Sequence, residues 1–129
     1  MIEQDTRLVV LAENRAGAAP WYQPAYEGLT QETPFAFTDT DALTAPENLP
    51  ASCRPNRGGA GAPLFLVNHW INTDPVPRPS NAAVVNAYDA LLRRARACER
   101  SRGRRVGLLA VDFYKRGDLF RVVDTLNGT

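Results

Sequence analysis

The chain reads as a single α/β domain with parallel strands over residues 1–129, and three observations carry that expectation. Three apolar runs, at residues 8–12, 63–67 and 107–111, are continuous rather than alternating. Runs of this length and kind mark strands buried on both faces, as in a parallel sheet covered by helices. A helical pattern separates the second run from the third, and another follows the third, giving the strand–helix alternation of such sheets. Each run also ends in side chains that can hydrogen-bond: Glu13 and Asn14, then Asn68, His69 and Trp70, then Asp112 with Tyr114 close behind. Polar groups gathered past the carboxyl ends of several parallel strands are where an α/β protein keeps its site.

Size and composition set outer limits. At 129 residues the chain can bury a real core. With 22% charged residues and a net charge of +1 there is no bulk electrostatic reason to expect nucleic acid or a membrane as a partner. No apolar run approaches the ~20 residues of a transmembrane helix. Residues 1–5 lack the basic and then apolar regions of a signal peptide.

Taken in order, residues 7–12 form the first strand, and the small residues 16–20 form a loop. Trp21, Tyr22 and Tyr26, interrupted by Pro24, make an aromatic cluster outside any regular helix, suited to packing a loop down or to holding a ligand. Residues 35–38 alternate over a short strand-like segment. Residues 39–62 are rich in Pro, Gly, Asn and Asp and read as a long excursion. The glycines at 58, 59 and 61 precede a strand and lack a Lys-Ser/Thr pair, so they are no phosphate loop. An excursion this long must be functional or pinned, and Cys53 is a candidate pin.

The central strand spans 64–69. After a proline-stiffened stretch, Ser80 is the expected cap of one helix over about 80–100. Its core face is Val84, Tyr88, Leu91, Leu92, Ala95 and Cys98. The opposite face and the helix end carry Arg93, Arg94, Arg96, Arg100, Arg102, Arg104 and Arg105. That set is either an anion-binding patch or a solvated face with favourable cations at a helix C-terminus. The last strand spans 107–112. A final helix over 118–127 follows, with Asp118 as cap, Leu119, Phe120, Val122, Val123 and Leu126 as its apolar face, and Asn127-Gly128 as its stop.

Cys53 and Cys98 cannot make a CxxC motif, and with one histidine no zinc site is expected. They are either a disulfide closing a long loop or two unrelated buried thiols. At the strand ends Glu13 and Asp112 have the chemistry of acid, base or ligand, and Asp112 that of a group orienting a histidine. Alternation means that neighbouring residues of one strand cannot all face the same cavity. No Gly-x-Ser-x-Gly elbow is present for a serine hydrolase.

Residues 8–14 (Leu-Val-Val-Leu-Ala-Glu-Asn), 21–23, 32–35, 66–70 (Leu-Val-Asn-His-Trp) and 106–114 resemble the C-terminal half of the phosphatidylinositol-specific phospholipase C-like phosphodiesterases, in particular their exported actinobacterial branch. The resemblance implies a partial (β/α) TIM-type barrel, its later strands, and an exported protein; that tilts Cys53 and Cys98 toward a disulfide. It implies that Asp112 takes the place of the aspartate that orients a catalytic histidine. The family's two catalytic histidines lie on early strands outside the resembling stretches, and His69 matches neither. A fragment inactive by itself is therefore expected, or else a non-catalytic module for an anionic ligand.

The substrate implied is a phosphodiester or phospholipid head group, bound by Glu13, Asn14, Asn68, His69, Trp70 and Tyr114. Glu13 stands where inositol-cleaving members carry a basic residue. No cofactor is implied, with calcium left open. Peripheral membrane contact follows from the substrate, and self-association through unpaired strand edges follows from an open barrel.

Overall fold

The computed structural model describes residues 9–14, 19 and 21–129. Arg7 and Leu8, the start of the expected first strand, and most of the 16–20 loop lie outside the described residues. The chain is mixed α/β, with its strands in two small parallel sheets. β1 (Val10–Ala12) pairs in parallel with β2 (Tyr22–Pro24). The second sheet runs in the order β3 (Thr30–Glu32), β4 (Leu64–His69), β5 (Leu108–Val111), all parallel. These strands do not close into a barrel.

β4 is the axis of the fold. Glu32 of β3 is level with Leu66, and His69 is level with Val111 of β5. Alternation divides β4 between two environments. Phe65, Val67 and His69 are buried against helices, whereas Leu66, Asn68 and Trp70 turn toward an open cleft. The helix side is closed by α4 (Tyr88–Arg102) and α5 (Leu119–Asn127). Leu91, Leu92 and Val122 pack there with Leu109 and Val111 of β5.

The excursion at 39–62 is more ordered than its composition suggests. It contains α1 (Asp41–Thr44), a 3-10 turn (Pro46–Asn48) and α2 (Leu49–Ser52). It is pinned where the sequence offered a pin: Cys53 and Cys98 form a disulfide, both fully buried beside Phe65 and Val67. Beyond the disulfide, residues 56–58 run alongside β3. Glu32 N–H donates to the Arg57 carbonyl at 3.0 Å, and Asn56 N–H donates to the Glu32 carbonyl at 2.9 Å. Gly58 takes a φ of +84°, and a Cβ there would run into the Thr30 carbonyl.

Six expectations are corrected. The single helix over 80–100 is two, α3 (Pro79–Val85) and α4, broken at Asn86-Ala87. Pro79 opens α3 after Arg78, and Ser80 is not the cap. The break shifts the phase, so Val85 is buried and Val84 is half exposed. Arg94, assigned to the outer face, is wholly buried. The strand-like segment 35–38 is not a strand; the strand lies earlier, at the polar tripeptide Thr30-Gln31-Glu32. Phe120, placed on the apolar face of the last helix, is 65% exposed.

The disulfide spans 45 positions. On the chain-entropy account a loop of that size stabilises the fold by roughly 4 kcal/mol, less any accommodation of the native state. Urea unfolding of the Cys53→Ala/Cys98→Ala protein should show a loss of about 2–4 kcal/mol. A midpoint equal to that of the parent would mean the crosslink is dispensable.

Candidate functional site

A cleft of about 430 Å³ opens at the carboxyl ends of β1, β3 and β4. Its floor is apolar, from Leu11, Leu66 and Leu108, and Phe35 and Trp70 form an aromatic wall. Their rings stack with centroids 6.3 Å apart. The polar groups are Glu13, Tyr26, Thr30, Glu32, Arg57 and Asn68.

Glu32 organises them. It is the last residue of β3, 1% exposed, and its two oxygens accept from four side chains. Oε1 accepts from Asn56 Nδ2 at 2.8 Å and Arg57 Nε at 2.5 Å. Oε2 accepts from the Tyr26 hydroxyl at 2.8 Å, Asn68 Nδ2 at 2.9 Å and Arg57 Nη2 at 3.1 Å. Burial by itself would raise the Glu32 pKa. Hydrogen bonds from Arg57, Asn68 and Tyr26 outweigh it and hold the carboxyl below its ordinary range. Glu32 is thus a fixed anion with no lone pair to spare for proton transfer. Its chemistry is to orient its donors.

Arg57 reaches the site because residues 56–58 follow β3, and its guanidinium lies over the Tyr26 ring at 4.1 Å. Its hydrogen bond to Glu32 pushes its pKa up, against burial. At its outer edge Nη1 donates to Glu13 Oε1 at 2.8 Å, and the Glu13 side chain is 64% exposed. Tyr26 is raised to about 12, first by burial and then by its bond to Glu32, so it stays protonated. The Thr30 hydroxyl, buried in the cleft wall, has no hydrogen-bond partner among the described residues.

His69 does not join this cleft. It shares the parity of Phe65 and Val67 and is 0% exposed. Arg94 Nη1 meets its Nδ1 at 3.1 Å, and its Nε2 meets the Val85 carbonyl at 2.9 Å. A cation at Nδ1 and a carbonyl at Nε2 fix the neutral Nε2–H tautomer. Burial, then the charge of Arg94, drives its pKa down to about 3, despite the bond to Val85. Expected at the rim as a head-group contact, the chain's one histidine is instead an interior group.

Asp112 follows β5 on the same end of the sheet. It lines a separate crevice with room for about one water, together with His69, Asn86 and Phe113. Burial raises its pKa. Trp70 borders both cavities, so the sequence-chosen residues divide between them. Glu13, Asn68 and Trp70 line the cleft, and Asp112 lines the crevice. Asn14 is exposed beside Glu13, and Tyr114 is exposed past Asp112. Glu32 and Arg57 were not anticipated as site residues, and Tyr26 was anticipated only within an aromatic cluster suited to packing a loop down or to holding a ligand. One signal existed: Glu32 opens a resembling stretch, 32–35.

A parallel-stranded α/β protein whose polar cleft sits at the strand ends is the class defined by this geometry. The PI-PLC X family model, described as PI-PLC X 1, matches residues 1–127, and the chain belongs to that family. Comparison with curated proteins and with solved structures returned no match.

Two measurements test the electrostatics. In the folded protein His69 stays neutral down to about pH 3, while the unfolded chain protonates it near 6.5. The unfolded state therefore binds the extra proton in that window, and stability falls as pH drops through 6.5, by up to about 1.4 kcal/mol per pH unit. Urea unfolding from about pH 7 to about pH 5 should show this slope, and His69→Gln should flatten it. An unchanged slope in the variant would assign the effect elsewhere.

Glu32→Gln removes a buried counter-charge and should cost about 3 kcal/mol. Glu13→Gln breaks an exposed pair and should cost less than about 1 kcal/mol. Equal losses in urea would contradict the central place of Glu32.

Proposed function

We propose that this chain forms later strands of a phospholipase C-like phosphoric diester hydrolase, that its cleft is part of the head-group-binding rim, and that it does not turn over substrate alone. The observation that carries this reading is the position of the cleft, at the carboxyl ends of parallel strands in a PI-PLC X family member. The open side of the cleft is consistent with a partial barrel. The outer edge of β5 has no strand partner among the described residues, and Leu108 on the cleft floor is 37% exposed. Further strands docked there would pair that edge and cover the apolar floor.

Hydrolysis of a phosphodiester by general acid–base catalysis needs one group to take a proton from the attacking hydroxyl and another to give one to the leaving oxygen. His69 can do neither, since both ring nitrogens are engaged and the ring is sealed from the cleft. Glu32 is saturated. In this reading the acid–base pair comes from strands other than those described, and Asp112 holds one of those histidines in its working tautomer. What this chain contributes is binding: the Arg57 guanidinium, the Tyr26 and Thr30 hydroxyls, and the Phe35–Trp70 wall suit a polyhydroxylated phosphodiester head group. The disulfide fits an exported protein.

The alternative, a non-catalytic module for an anionic ligand, draws on Arg57. Its Nη1 is held only by the exposed carboxylate of Glu13 among the described residues, and an anion could displace that contact.

Incubation with phosphatidylinositol vesicles should release no head group from the chain alone. Adding, in frame, strands that bear two histidines should restore release, and Asp112→Asn should then lower kcat. Turnover by the chain alone would overturn the reading. Glycerophosphoinositol should quench Trp70. Quenching reproduced equally by inorganic phosphate and abolished by salt would favour the anionic-ligand module instead.

A further inference from the structure

We propose that Asn86 is the positioning residue of Asp112: its amide nitrogen holds the Asp112 backbone directly, and one buried water bridges its Oδ1 to the Asp112 carboxylate. The observation behind this is an acceptor left over. Asn86 is wholly buried at the break between α3 and α4. Its Nδ2 donates to the carbonyls of Asp112 at 3.0 Å and Arg116 at 3.1 Å. Because carbonyls only accept, these two contacts fix which atom of the amide is nitrogen. Oδ1 is then left without a hydrogen-bond partner among the described residues. A buried acceptor with no donor is costly, so a donor belongs beside it.

Asn86 and Asp112 line the same crevice, which has a volume of about 10 Å³. That is the size of a single water and too small for an imidazole or a phosphate. The two protons of a water match the two acceptors, Asn86 Oδ1 and the Asp112 carboxylate. Arg78 and Asn81, on the crevice wall, have the donors its oxygen needs. His69 also borders the crevice, but its Nε2–H is committed to the Val85 carbonyl and its Nδ1 to Arg94. A small cation is the other occupant of that size, and the charge of Arg78 opposes it.

The loop after β5 is shaped around the same side chain. The Asn86 backbone carbonyl accepts from Asp118 N–H at 2.9 Å, and Asp118 Oδ2 accepts from Tyr88 N–H at 3.1 Å. Gly117, at φ +89°, lies so close to Asn86 that no Cβ fits. Phe113, directly after Asp112, is held at φ +49°, a conformation unfavourable for a residue with a Cβ. Such strain persists only where the surroundings over-determine the backbone, and here Asn86 grips the chain on both sides of Phe113, at 112 and at 116. A carboxylate that holds an imidazole in one tautomer must itself be held, and Asn86 supplies that hold. This use of the bridge rests on the reading of Asp112 given above, whereas the bridge itself does not.

Carbon-13 NMR titration of the Asp112 carboxyl tests the bridge, with Ala82→Val as the first variant. Ala82 lines the crevice and is 4% exposed, so the added methyls would take the place of the water and leave the bonds of Asn86 intact. Loss of a donor to the charged carboxylate should raise the Asp112 midpoint by about one pH unit. Arg78 and His69, the latter neutral down to about pH 3, are the other ionisable groups on the crevice wall, and the substitution changes neither. In the parent, cross-peaks from the Asn86 side-chain amide protons should report one long-lived water, absent from Ala82→Val. Asn86→Leu should move the midpoint the same way, with circular dichroism confirming that it folds; if it does not fold, Ala82→Val carries the test. No long-lived water in the parent, or equal Asp112 midpoints in parent and Ala82→Val, would overturn the proposal. So would a midpoint that follows sodium concentration at constant ionic strength, since a cation would then fill the crevice. Neither readout involves turnover, so failure here is separate from failure of the phosphodiesterase reading.

Discussion

The Arg94 guanidinium is the contact on which the rest of the molecule depends. It is wholly buried, and among the described residues it meets no carboxylate. Its solvation is instead the Ser52 hydroxyl at 3.0 Å, the carbonyls of Ser52 at 2.9 Å and Asn68 at 2.7 Å, and His69 Nδ1. Phe37 lies under it at 5.2 Å. Burial lowers its pKa to about 9, so the group is still a cation at neutral pH. A buried charge is tolerable only when all of its substitutes for water are in position at once. Three segments distant in sequence, α2, the end of β4 and α4, must therefore assemble together.

That requirement explains how the cleft is built from the far side of the sheet. Ser52, held by Arg94, adjoins Cys53, which is bonded to Cys98 one turn further along α4. The two ties fix the end of the excursion against α4. From there the chain has only a few residues to reach β3, and it delivers Arg57 to Glu32. The same guanidinium bears on His69. Burial first, and then the cation beside Nδ1, makes a second positive charge untenable, which removes the ring from acid–base chemistry. One interaction thus both supports the cleft and helps to exclude a catalyst that the sequence seemed to offer.

Much of this architecture was legible in advance. β4, β5 and the last helix follow from continuous apolar runs and from a glycine stop at Gly128, which does adopt the left-handed conformation. Of the polar groups at the strand ends, Glu13, Asn68 and Trp70 line the cleft, whereas His69 and Asp112 do not. His69 could have been read more closely, because its parity with Phe65 and Val67 already assigned it to the helix side. β3 could not have been found that way. Thr30, Gln31 and Glu32 are all buried, yet no hydrophobic period announces a strand whose residues are polar. Arg94 was hidden for a related reason: a lone arginine in an arginine-rich helix carries no sign of which copy turns inward. Nor does periodicity register the break at Asn86, where a single side chain reaches across to hold the 112–118 loop.

By itself the sequence determined which segments bury apolar surface, in what order strands and helices alternate, and which end of the sheet is polar. Those properties are local, fixed by the spacing of side chains along one element. Only the tertiary structure decided which charges are interior, which carboxylate is saturated and which aromatic rings remain in water. A charge's state depends on the donors and acceptors around it, and these come from residues 25, 36 or 42 positions away along the chain. No one-dimensional pattern encodes that proximity, and so the chemistry of the cleft appeared only when the chain was folded.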